Sequence, residues 1–91
     1  MESLQTKRMM LLSIADNEIK VQNALFDLFI KRFEVWVNGQ TIEATIDGVV
    51  PPFEWQHNQI LTIHCSKSLK SDDLVKVFFF DSQVGSLVFS N

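Results

Sequence analysis

Cys65 has no second cysteine to pair with, so no internal disulfide staples this chain. Small secreted domains often depend on such staples, so a lone thiol favours a reducing, cytoplasmic setting. Tyrosine is absent altogether, which removes phenolic hydrogen bonding from any aromatic surface the protein presents. Three glycines and two prolines leave no low-complexity segment and no linker. No apolar run approaches the ~20 residues of a membrane span, so no membrane partner is expected. The apolar run Met9 to Ile14 follows Lys7-Arg8 and precedes a small-residue site, but it is shorter than the roughly 7 to 15 residues of a signal-peptide core. Glu2 also stands where such a leader is positive, so no signal peptide is expected.

A surplus of positive charge is missing too. Eight basic against eleven acidic residues give a net charge of −3, whereas a nucleic-acid surface shows clustered Lys and Arg. Lys7-Arg8, Lys31-Arg32 and the stretch Lys67 to Lys70 are short enough to read as solvated surface. Nucleic acid is therefore not an expected partner.

What is present is grease in strand-like order. The 91 residues are 46% hydrophobic, which excludes disorder and predicts one domain spanning residues 1–91. A domain of this size buries only about 60 to 65% of the surface its unfolded chain exposes, so oligomerisation would add useful stability. In Leu74-Val75-Lys76-Val77-Phe78-Phe79-Phe80, successive side chains of a strand point to opposite faces. Val75, Val77 and Phe79 share one face, while Leu74, Lys76, Phe78 and Phe80 share the other. Both faces are apolar, and one small core covers only one of them. A helix, a second subunit or a ligand must cover the other.

Upstream, Phe33, Val35 and Val37 alternate with Glu34 and Trp36, then Asn38-Gly39 supplies the left-handed tolerance of a two-residue hairpin turn. Ile42, Ala44 and Ile46 continue the alternation up to the Asp47-Gly48 turn. Pro51-Pro52 bars a central strand there, leaving Phe53 to Trp55 as a short edge strand. Ile60 to Cys65 forms the next strand, with Leu61, Ile63 and Cys65 inward and Thr62 and His64 outward. Ser66 to Asp73 is polar, Asp81 to Gly85 is a turn, and Ser86 to Phe89 closes the chain. Short antiparallel strands with frequent turns predict a mainly β fold, a small antiparallel β-sandwich or partly open barrel.

Residues 1–32 admit two readings. One is an N-terminal helix packed on the sheet, capped at Asp16 or Asn17, with Val21, Leu25, Leu28 and Phe29 at helical spacing. Phe26 and Ile30 fall off that stripe. The other pairs strands at Met9 to Ile14 and Glu18 to Gln22 through Asp16-Asn17, with a third strand running from Phe26 into the Asn38-Gly39 hairpin.

Motifs for catalysis are scarce. His64 and Cys65 are adjacent on a strand and so point to opposite faces, and Cys65 reads as a small buried hydrophobe. His57 sits in a turn. Asp72-Asp73 and Asp81 lie at opposite ends of one strand, on the order of 25 Å apart, and Asp47 could join either end only through a tertiary contact. Calcium needs six to eight oxygens at one place, and zinc needs more soft ligands than one Cys and two His. Asp81-Ser82-Gln83-Val84-Gly85-Ser86 lacks the Lys-Ser/Thr of a phosphate loop and reads as a hairpin connection. No catalytic residue, metal or cofactor is expected.

The aromatic residues remain as candidates for binding: Trp36, Trp55, Phe78 and Phe80. Trp36 shares a face with Arg32 and Glu34. If it also shares one with Phe78 and Phe80, Val88 and the Thr62 methyl complete an apolar patch of the kind that marks binding surfaces. The runs Phe33-Glu34-Val35-Trp36-Val37-Asn38-Gly39-Gln40 and Val75-Lys76-Val77-Phe78-Phe79-Phe80-Asp81 resemble the strands of small sugar-binding β-sandwich modules. That resemblance implies a carbohydrate or small apolar ligand held by Trp36 or Trp55, although the absence of tyrosine departs from it. The leading expectation is a non-catalytic interaction module that forms homo-oligomers through its aromatic sheet face, with a protein or carbohydrate as the other partner classes.

Overall fold

The structure, a computed structural model, describes residues 8–91. Lys7 and the residues before it, on which the leader question turns, lie outside the described residues. Among the described residues ten strands make up the fold: β1 (Arg8–Met10), β2 (Ser13–Ala15), β3 (Glu18–Gln22), β4 (Leu28–Val37), β5 (Gln40–Ile42), β6 (Ala44–Ile46), β7 (Phe53–Trp55), β8 (Ile60–Cys65), β9 (Val75–Asp81) and β10 (Gly85–Ser90). They form two sheets. The larger runs β1-β10-β9-β4-β5, with β7 also paired to β4, and the smaller runs β2-β3-β8-β6. Among the described residues every ladder is antiparallel except β1 with β10. The sheets do not close into a barrel.

No helix occurs among the described residues, so the N-terminal helix is not formed and the strand reading of that region holds. The physical reason lies in Ile19 and Val21, both fully buried two residues apart, and in Leu28 and Ile30, which repeat that period. Asp16 adopts a left-handed φ of 57° and turns β2 back onto β3. Asn23 ends β3: its side chain accepts from the Leu25 N–H (2.8 Å) and donates to the carbonyls of Phe26 (3.0 Å) and Trp55 (2.9 Å). A buried side chain that satisfies the surrounding backbone in this way fixes a turn in competition with a helix.

Two segments expected as single strands are each divided between the sheets. The N-terminal one pairs with β10 through Met10, and then the Leu12 N–H donates to the Lys20 carbonyl (2.8 Å), placing β2 in the smaller sheet. The arm after Asn38-Gly39 pairs with β4 through Ile42 and with β8 from Ala44. Edge strands that change sheet in this manner build the corners of packed β layers. The hairpin itself is as expected, with Asn38 and Gly39 at φ 52° and 83°.

β9 is the centre of the larger sheet. Val75, Val77 and Phe79 are fully buried on its inner face, where Phe79 lies 4.7 Å from Trp55, 5.6 Å from Phe89 and 6.0 Å from Phe33, centroid to centroid. Ile19, Val21, Ile46, Leu61, Ile63 and Cys65 of the smaller sheet join the same core cluster. One core therefore lies between the sheets, and the outer face of each sheet is turned away from it.

Candidate functional site

Register places the aromatic residues of the larger sheet's outer face in rows. Arg32 of β4 lies opposite Phe80 of β9, Glu34 opposite Phe78, and Trp36 opposite Lys76. On the far side of β9, Val88 lies opposite Phe78 and Ser86 opposite Phe80. Trp36, Lys76, Phe78, Phe80 and Val88 are all half-buried. What covers them in part is one another. The Phe78 ring meets Trp36 edge-on at 6.3 Å, and the Arg32 guanidinium sits 3.9 Å above the centre of the Phe80 ring, an attraction worth about 0.5–1 kcal/mol at an exposed site.

Glu34 links the two aromatic groups. One carboxylate oxygen accepts from Arg32 (2.9 Å) and the other from the Trp36 indole N–H (3.1 Å). The indole is thereby oriented and Arg32 neutralised. Lys76, directly across from Trp36, has no ion-pair partner among the described residues. Beside it lies a cleft of about 200 Å³ lined by Trp36, Gly39, Leu74, Lys76 and Phe78. Phe29 and Leu74, 47% and 49% exposed, extend the apolar stripe toward its two ends.

Of the four aromatic residues singled out by sequence, Trp36, Phe78 and Phe80 are brought together, and Trp55 is not. Trp55 is fully buried between Phe79 and Phe89, with its indole N–H donating to the Gln59 carbonyl (2.9 Å). It is a core residue with no face to offer a ligand. Thr62 also leaves the expected patch, because β8 belongs to the smaller sheet, whereas Val88 is in place. Phe29 escaped sequence reading for a definite reason. Counting back by twos from Trp36 puts Ile30 and Leu28 outside and Phe29 inside. A bulge between Ile30 and Arg32 reverses this parity, and its trace in the sequence is the adjacent charged pair Lys31-Arg32, which interrupts the alternation.

The polar candidates are spread over the molecule. His64 and Cys65 face opposite ways as expected: Cys65 is buried, which pushes its thiol above the ordinary value. His64 lies on the outer face of the smaller sheet, with its two ring nitrogens 3.7 Å from Glu18 and 3.8 Å from Asp47. The backbone N–H of His57 donates to the Asp27 carboxylate (2.8 Å). The Asp81 carboxylate accepts from the N–H groups of Phe29, Gln83 and Val84 (2.6, 2.7 and 3.0 Å), so it fills the hairpin connection that a phosphate would otherwise need empty. Among the described residues no three His, Cys, Asp or Glu side chains are grouped to hold a metal ion. Comparison of the chain with known protein families, characterised proteins and solved structures finds no match.

Proposed function

We propose that the chain is a non-catalytic interaction module, a small antiparallel β-sandwich that self-associates through the outer face of its larger sheet. The observation that carries this reading is the row of half-exposed rings, Trp36, Phe78 and Phe80, on a sheet whose other face already contributes the core. Apolar area of this kind is rarely left bare on small monomers. A cytoplasmic setting accords with the unpaired, buried Cys65. Sedimentation velocity across micromolar concentrations tests the proposal. A reversible shift from monomer toward dimer is expected, and a constant monomer mass would remove its basis.

The cleft beside Lys76 favours a second reading, a site for a carbohydrate or small apolar ligand against Trp36. Its volume of about 200 Å³ is below the roughly 300–1,000 Å³ of typical ligand pockets, so it suits a single ring. Because Trp55 is sealed in the core, a change in tryptophan emission on titration would come from Trp36. Flat titrations with sugars and with small apolar compounds would eliminate this reading.

A further inference from the structure

Trp36, Lys76, Phe78 and Glu34 occupy the corners of a rectangle on the outer face, because Trp36 pairs with Lys76 and Glu34 with Phe78. Adjacent strands are about 4.8 Å apart and alternate residues about 6.8 Å apart. The rings therefore stand at the ends of one diagonal, and the opposite charges at the ends of the other.

From this placement we infer that a second copy of the chain docks face to face on a two-fold axis lying along the Trp36–Phe78 diagonal, with Lys76 of each copy on Glu34 of the other. The inference rests on the self-association proposed above and adds its geometry. A two-fold contact must match one patch to itself, and a rectangle offers four in-plane axes through its centre. An axis parallel to the strands sets Trp36 on Lys76 and leaves the Glu34 carboxylate on a Phe78 ring. An axis across the strands sets Trp36 on Glu34 and Lys76 on Phe78. The charged diagonal sets Lys76 on Lys76 and Glu34 on Glu34. Only the aromatic diagonal puts each ring on its own counterpart and each charge on its opposite. The two charged corners then coincide to within about 3 Å by the same strand spacings, well inside the reach of a lysine side chain.

The available charges support this docking. Lys76 has no carboxylate within ion-pair distance among the described residues. Glu34 uses one oxygen for Arg32 and one for Trp36, yet a carboxylate offers about four acceptor positions. Like charges brought together in a contact of this kind work against association.

Charge exchange tests the geometry. Lys76→Glu and Glu34→Lys are each expected to weaken self-association at least ten-fold, because each homodimer then sets like charges on one another twice. An equimolar mixture of the two variants is expected to form a heterodimer about as tightly as the parent chain pairs, since both contacts are again complementary. Thermal melts establish that each variant is folded. If Glu34→Lys is not, Lys76→Glu is compared with Lys76→Met, and the charge reversal must be the more damaging. A parent chain that stays monomeric overturns the self-association reading and this inference with it. A parent dimer that Lys76→Glu leaves intact, or a mixture that does not recover, overturns the docking geometry alone.

Discussion

Asp73 illustrates how much depends on single side chains outside the aromatic face. One oxygen accepts from the Asn38 side-chain amide (2.9 Å) and the other from the Lys70 N–H (2.8 Å). Asn38 in turn accepts from the Leu74 N–H (2.9 Å), so this acid ties the β4–β5 turn to the start of β9. The Lys70 N–H first, and the Asn38 amide second, hold its carboxyl below the ordinary carboxylate value. A depressed value in the folded state means that the stabilisation is present above the unfolded-chain value of about 4 and is lost as pH falls through the lower, folded one. Melts of the parent chain and of Asp73→Asn should therefore differ at neutral pH and converge on strong acidification. Sequence alone places Asp73 among exposed loop acids, because its partners at position 38 and in the preceding turn meet it only through tertiary structure. The same limit separates the two tryptophans. Trp36 is legible as outward from its strand parity, whereas Trp55 has polar neighbours in sequence and apolar ones only in space.

At the scale of elements, period-two patterns were the readable signal and interruptions of them were not. The inward sets Leu61, Ile63, Cys65 and Val75, Val77, Phe79 follow directly from alternation, and the structure buries all six. The Ile30/Arg32 bulge shifts the alternation by one residue, and the change of sheet after Ile42 leaves the alternation through Ala44 and Ile46 intact while altering what it packs against. Neighbouring positions on β9 make the division of labour measurable. Phe79→Ala removes a ring at the centre of the core and should cost about 3–5 kcal/mol, a large part of the about 5–15 kcal/mol that holds a typical domain together. Phe78→Ala gives up an edge contact with Trp36 and should cost about 1 kcal/mol while abolishing self-association. Chemical denaturation read beside sedimentation separates the two effects. Equal loss of stability in both variants would mean that the outer face is a second core.

For the whole molecule, the outer face sets the strength of association. The seven residues of β9, spanned at strand spacing by the neighbouring strands, give a face roughly 24 Å by 20 Å, on the order of 500 Å² in projection. Stable complexes bury about 800 Å² per partner, so the expected dimer is a weak one, with micromolar dissociation and monomer in dilute solution. That the fold is mainly β was legible at this scale because short strands punctuated by turns admit few arrangements. The corner crossings matter beyond topology. Because the backbone passes from layer to layer at residues 11–12 and again at Glu43, the layers are riveted along both margins. They cannot slide past each other without tearing out ladder bonds at those seams. Trp55, fully buried between those joined layers, is thereby screened from water-borne quenchers and oxidants while the fold persists.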